Sequence, residues 1–234
     1  MDRCSSWRNR ELAILPTVYV FDAYGTLFDT SAAVRRHAGE LGAAGQKLAD
    51  LWRRKQLEYS WVRSLMGPCD RDFWQLTVDA LDHALLAVPE ADRKLRDCLL
   101  EAYRDLDTYD EVPQVLGALK DKGAKLAILS NGSHEMLERA IRSAGLDQIF
   151  DRVFSAEDIK RYKVWPDVYD MVTTAYRLYP EAVSFQSSNR WDIAGARRFG
   201  FTTVWINRTQ DPDEYLDCPP SAVLPDLKAL PMML

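Results

Sequence analysis

Four short stretches of the 234-residue chain carry side chains whose types and spacing could do chemistry. In FDAYGTLFD (21–29), Asp22 ends a β-branched and aromatic run and is followed by a Gly-Thr turn. An ionised carboxylate held there by neighbouring N–H groups can serve as a covalent nucleophile, although a lone Asp-x-x-Gly is better read as a turn or cap aspartate. In ILSNGS (128–133), Ser130 and Asn131 offer a hydroxyl and an amide, either as neutral hydrogen-bond partners or as the cap of the next helix. In RYKVWPDVY (161–169), Lys163 leads into a Pro-started helix with Tyr169 six residues on; a single lysine here would ordinarily be a solvated cation. In FQSSNRWD (185–192), Ser187, Ser188, Asn189 and Asp192 gather polar groups past another apolar run, with Ser or Asx capping as the bland alternative.

Groups of this kind must be delivered by something rigid. Runs at 17–22 (TVYVFD), 125–130 (KLAILS), 182–187 (AVSFQS) and 202–206 (TTVWI) read as buried strands, with helical stretches at 134–144, 166–177 and 190–199 between them. Strands alternating with helices imply right-handed βαβ units and a mostly parallel sheet, the architecture of an α/β, Rossmann-like core. The crevice of such a sheet lies beyond the carboxyl ends of its strands. The segment 30–108 breaks this rhythm. Its apolar positions, among them Leu48, Leu51, Trp52, Leu57, Trp61, Val62 and Leu65, recur at three- and four-residue steps, and Gly67-Pro68 and Val88-Pro89 punctuate it. It reads as an inserted α-helical cap subdomain (30–108) above a core formed by 14–29 plus 109–234. The Pro-rich tail from Asp211 to Pro231 is expected to be irregular.

Composition narrows the classes. With 47% hydrophobic and 28% charged residues the chain is globular rather than disordered, collagen-like or fibrous. A net charge of −5 gives no footprint for a phosphate backbone, so no nucleic-acid partner is expected, and an anionic small substrate would need a local cationic pocket. No apolar run approaches the roughly 20 residues needed to span a bilayer, and MDRCSSWRNRELAILP (1–16) lacks the apolar stretch of a secretory signal. A cytoplasmic protein with reduced thiols at Cys4, Cys69, Cys98 and Cys218 follows, since none of these forms a C-x-x-C pair or metal spacing. The sequons at Asn131 and Asn207 are then chance matches.

Asp, Ser, Lys and Asp in this order at successive strand ends are improbable as four unrelated caps, and there the sequence resembles the haloacid dehalogenase superfamily. More narrowly, residues 17–209, including LWRRKQLEYSWVRSLMG (51–67), resemble the type II (S)-2-haloacid dehalogenases. The resemblance implies that Asp22 attacks C2 of a small anionic 2-haloacid with inversion and forms an ester. Water attacking the Asp22 carbonyl carbon then releases a 2-hydroxyacid. It implies that Lys163 offsets charge near Asp22, that Asp192 with Asn189 orients or activates the water, and that Thr26, Ser130, Tyr169 and Ser187 complete the hydrogen-bonded shell. Ser130 and the amides just after Asp22, at Ala23 and Tyr24, become candidates for holding the substrate carboxylate. By the same resemblance Arg53, Asn131 and Trp191 would make a halide cradle, although Arg53 without its flanking pattern reads as an exposed helix arginine. Tyr24, Leu57, Phe73 and Trp191 would form an apolar wall, although aromatics at helical spacing are more often plain core. Relatives of this type commonly form homodimers.

Departures from the family's phosphatase branch carry chemical meaning. Where those phosphatases have a second aspartate stands Tyr24, and Ser187, Ser188 and Asn189 precede the single acid Asp192, too few carboxylates for a hard cation. No metal and no cofactor are expected. A Mg-dependent phosphatase, or a non-catalytic metabolite-binding protein on the same fold, are the alternatives. A Ser/His/Asp hydrolase is weaker, because G-x-S-x-G is absent and His37, His83 and His134 match no motif position. Within the closer pattern, Arg54, Val164-Trp165, Gln186 and Arg190 are unusual. Arg54 and Arg190 either add cationic charge at the entrance or point to solvent.

Overall fold

The computed structural model describes residues 18–233; Cys4, the leading sixteen residues, Thr17 at the start of the first expected strand and the first residues of the expected core lie outside them. The chain runs β1 (Val18–Phe21), α1 (Ala32–Arg36), α2 (Ala38–Leu41), α3 (Ala44–Met66), α4 (Phe73–Ala87), α5 (Arg96–Arg104), α6 (Val112–Asp121), β2 (Lys125–Ser130), α7 (His134–Ser143), β3 (Arg152–Ser155), α8 (Pro166–Tyr176), β4 (Val183–Ser187), α9 (Arg190–Phe199), β5 (Thr202–Ile206) and β6 (Ala222–Leu224). The strands form one sheet in the order β3-β2-β1-β4-β5-β6, every pair parallel. This is an α/β architecture, with six α-helices between β1 and β2, five of them before residue 105.

The sheet forms where the side chains can be buried on both faces. β1 is wholly buried and its β-branched and aromatic residues pair with β2 on one side and β4 on the other. Because β2 and β3 build outward on one side of β1, and β4, β5 and β6 on the other, the strand order reverses at β1. Crevices in open α/β sheets open at such reversals, and Asp22 is the first residue past β1.

Two strands escape the sequence reading. β3 is a four-residue edge strand with an exposed Arg152 and a half-buried Val153, so it lacks a continuous apolar run. β6 lies in the tail expected to be irregular; only three residues long, it is recognisable only by its pairing with β5. The expectation that each motif ends one of the four predicted strands also needs correction. Lys163 sits eight residues beyond β3, after a single 3-10 turn (Ala156–Ile159), and β5 carries none of the four motifs.

The helical periodicity of α3 divides into three faces. Leu48, Trp52, Gln56 and Ser60 are buried, with Trp52 and Gln56 bonded to Thr77 of α4. Arg53, Leu57, Trp61 and Ser64, spaced by four, four and three, meet the strand-end side of the core. Val62 and Leu65, which the pattern placed on an apolar core stripe, are instead 48% and 81% exposed. The buried stripe turns polar halfway along the helix, so apolar spacing alone picks the wrong face there. Among the described residues, no helix is long and apolar enough to cross a membrane, and Cys69, Cys98 and Cys218 are free thiols.

Arg190 meets neither expectation for it. It is buried, pairs with Asp213 at 2.6 Å and donates to the carbonyls of Tyr215 and Cys218, both at 3.1 Å. It fastens the tail loop over β5 rather than facing the entrance or solvent, whereas Arg54 is exposed. Removing one partner of a buried charged network is strongly destabilising. Arg190→Ala should therefore cost about 2 kcal/mol and lower the melting temperature by about 5 °C in a domain of this size. Thermal unfolding followed by circular dichroism checks it, and an unchanged midpoint would refute the assignment.

Candidate active site

The turn after β1 is tight. The N–H groups of Leu27 and Phe28 both bond the Ala23 carbonyl, at 2.9 and 3.0 Å, and Gly25, at φ +96°, takes a left-handed conformation that favours glycine. That geometry turns Thr26 back beneath Asp22. The Thr26 hydroxyl accepts from Ser188 N–H at 2.8 Å, so its single proton goes to Asp22 Oδ2 at 2.9 Å. Asn189 Nδ2 donates to the same oxygen at 2.8 Å. Asn189 occupies the N-cap position of α9, but its side chain makes no cap bond and goes to Asp22 instead. Likewise Ser133, rather than Ser130 or Asn131, caps α7. The bland capping alternatives for these positions therefore fail.

Lys163 is no solvated cation. It is 1% exposed, and its ammonium donates to Asp22 Oδ1 at 3.0 Å and Asp192 Oδ2 at 2.8 Å. Two neighbouring N–H groups hold the loop that carries it: Tyr162 N–H donates to Ser64 Oγ of α3 at 2.8 Å, and Lys163 N–H to Asn131 Oδ1 at 2.9 Å. Burial opposes the charge on Lys163, but Asp192 and Asp22 outweigh it and hold the ammonium above its ordinary value. Asp192 receives the Tyr169 hydroxyl at 2.9 Å on its other oxygen. Burial pushes Asp192 up to about 6, with Asp22 adding to the rise and Lys163 opposing it.

Ser187 is buried but bonds only the loop, accepting from Asn189 N–H at 3.1 Å; it shapes the 187–189 turn without touching Asp22. Ser130 Oγ accepts from Gly132 N–H at 3.0 Å, which leaves its proton free. The N–H groups of Ala23 and Tyr24 bond no acceptor in the turn. A small, partly open cavity of about 10 Å³ lies at the strand ends, lined by Asp22, Tyr24, Arg53, Leu57, Phe73, Ser130, Asn131, Asn189 and Trp191. Ala23, Tyr169 and Asp192 stand behind this lining. Arg53 reaches in from α3, donating to the Tyr24 carbonyl at 3.1 Å. Trp191 meets Trp61 of α3 edge-on at 5.4 Å. Burial holds the Tyr24 phenol well above its usual value, so it is a poor substitute for a carboxylic proton donor. Among the described residues no three His, Cys, Asp or Glu side chains converge to hold a metal ion.

Three groups of structural consequence carry no signal in the motifs. A Cβ on Gly132 would stand 2.7 Å from the Tyr24 ring, and one on Gly195 2.5 Å from the Tyr169 hydroxyl, so both glycines permit close approaches that spacing cannot reveal. Gln56 lies inside the quoted 51–67 stretch, yet only its buried contacts mark it out.

A family model described as haloacid dehalogenase-like hydrolase matches residues 16–200. The chain belongs to that family. (S)-2-haloacid dehalogenase 1 of Pseudomonas sp. (strain CBS-3) is 47% identical over 216 residues, covering 92% of this chain and 95% of that protein. A dehalogenase solved with an intermediate complex superposes with a TM-score of 0.91 at 44% identity, over 94% of this chain and 97% of the other. The L-2-haloacid dehalogenase of Xanthobacter autotrophicus, solved with chloropropionic acid covalently bound, gives 0.83 at 34% identity, over 94% and 98%. These haloacid dehalogenase-like relatives are dehalogenases, which separates the chain's neighbourhood from the phosphatase branch.

The raised Asp192 has a consequence for stability. The carboxyl ionises near 6 when folded and near its ordinary 3.8 when unfolded. Between those values the folded state holds a proton that the unfolded state has lost. The contribution is therefore present below the unfolded value and disappears as pH rises through about 6. Comparing denaturant unfolding of the wild type and Asp192→Asn from about pH 4 to about pH 7, the wild type should lose stability relative to the variant as pH rises. A constant difference would contradict the raised value.

Proposed function

We propose that the chain hydrolyses short-chain (S)-2-haloalkanoic acids to (R)-2-hydroxyalkanoic acids and halide, without a metal, through an ester on Asp22. The observation that carries this reading is the state of the Asp22 carboxylate. Three donors hold it: Thr26 and Asn189 on Oδ2, and Lys163 on Oδ1. A carboxylate oxygen has about two lone-pair sites, so Oδ1 keeps one in a cavity that also presents a guanidinium. That lone pair forms the bond to C2 while the C2–halogen pair departs with the halide. Holding nucleophile and carbon in line replaces a bimolecular encounter by a positioned one.

The substrate carboxylate is held by the free N–H groups of Ala23 and Tyr24 and the Ser130 hydroxyl. Arg53, the Asn131 amide and the Trp191 ring receive the halide, a soft anion suited to a weakly hydrated guanidinium. Tyr24, Leu57, Phe73 and Trp191 wall the alkyl group. In the second half, water oriented by Asn189 and Asp192 attacks Cγ of Asp22, the bond from Cγ to the hydroxyacid oxygen breaks, and the proton taken from the water is passed to that oxygen as the product leaves. A carboxylate that ionises near 6 is suited to take the water's proton at neutral pH. Lys163 then faces the restored carboxylate. Thr26, Tyr169 and Ser187 keep the donors and loop in register.

On this reading residues 30–108 act as a helical cap over a core of 14–29 plus 109–234, and the enzyme is cytoplasmic. A homodimer is supported by exposed apolar side chains on α3 and the tail, including Val62, Leu65, Met66 and Leu216; sedimentation velocity tests it.

Ion chromatography of purified protein with (S)-2-chloropropionate should detect chloride, and Asp22→Asn should reduce the rate by about a thousandfold or more. In a single turnover in H₂¹⁸O the label should enter Asp22 before the hydroxyacid. Equal release by the variant, or label directly in product, would sink the proposal.

A further inference from the structure

The guanidinium assigned to the halide is itself held by a group outside the reaction. Gln56, one turn along α3 from Arg53, is 1% exposed, and its Oε1 accepts from Arg53 Nη1 at 2.6 Å. We propose that Gln56 is a positioning residue that aims Arg53 at the departing halide; this deepens the dehalogenase reading and rests on it.

The orientation of the amide follows from its neighbours. The Thr77 hydroxyl donates its only proton to the Phe73 carbonyl at 2.7 Å and must therefore accept from Gln56, whose Nε2 lies 2.6 Å away. With Nε2 committed to Thr77 and, at 3.1 Å, to the Tyr103 hydroxyl, Oε1 faces Arg53. Thr77 is fixed in turn, since its carbonyl receives the Trp52 indole N–H at 2.9 Å. Tyr103 stacks on Tyr24 with ring centres 5.8 Å apart and planes at 9°. The Tyr24 carbonyl takes Arg53 Nη2. Both ends of the guanidinium are thus pinned, one to a buried amide anchored in α4 and one to the turn that carries Asp22. Three of its five N–H donors remain for an anion.

A fixed donor matters most to the leaving group that needs it most. Chloride is smaller and a stronger hydrogen-bond acceptor than bromide, so a guanidinium released from Gln56 penalises carbon–chlorine cleavage more. A loss of folding or general packing would slow both halides alike. Single-turnover halide release from (S)-2-chloropropionate and (S)-2-bromopropionate should show the bromide-to-chloride rate ratio widened about tenfold in Gln56→Met, the loss expected for one hydrogen bond to a charged group. KM should change far less, because other donors hold the substrate carboxylate. Gln56→Leu, which likewise removes the acceptor from Arg53, should widen the ratio in the same direction and serves if the methionine variant does not fold. An unchanged ratio in the folded variant overturns the inference while leaving the dehalogenase reading intact. No halide from the wild type overturns that reading and this one together.

Discussion

One ammonium between two carboxylates, all three closed off from solvent, sets the terms for the rest of the molecule. Lys163, Asp22 and Asp192 are each no more than 5% exposed. Burying such charges is expensive unless partners and hydrogen bonds replace the lost water. The triad leaves one negative charge over, and neutral donors complete its shell: Thr26 and Asn189 on Asp22, Tyr169 on Asp192. Each charged group arrives from a different element: the turn after β1, the loop beyond β3 and the first turn of α9. They meet only because β1 stands in the middle of the sheet with β2 and β4 beside it.

Much of this arrangement can be read from the residues. β2 spans 125–130 and β5 spans 202–206, as continuous apolar runs bounded by turn residues indicate, and α9 covers the expected 190–199. The four motifs are legible because a nucleophilic or ion-paired site needs unlike polar types in a fixed chain order, which chance caps do not reproduce. Val18–Phe21 buries every side chain, so the position of Asp22 at its carboxyl end follows from the strand itself.

What was not legible depends on tertiary pairing. β6 exists because Ala222–Leu224 finds β5, and nothing in three residues among prolines announces it. Arg190 follows Asn189 directly and so falls beside the site in sequence, yet it turns the other way, to Asp213 and the tail carbonyls. Along α3, Gln56, Ser60 and Ser64 are buried while Val62 and Leu65 are not, because the helix passes from packing against α4 to facing the loop of Tyr162. Hydrophobic periodicity assumes an apolar neighbour; here the neighbour offers hydrogen-bonding groups, and polarity follows it.

The same contacts limit how the site can change shape. Successive N–H groups of Tyr162 and Lys163 are held from opposite sides, one by α3 and one by Asn131 just past β2. The junction between α3 and α4 adds Cys69 N–H to the Lys160 carbonyl at 2.8 Å and the Tyr162 hydroxyl to the Arg71 carbonyl at 2.6 Å. The helices cannot lift from the strand ends on this side without pulling the loop that delivers Lys163 and so disturbing the buried triad. At about 10 Å³ the free space between these groups is far below the roughly 300–1,000 Å³ usual for larger ligands. A site stitched this way selects by fit around a small anion, with the charges set before the substrate arrives, rather than by folding around a long one.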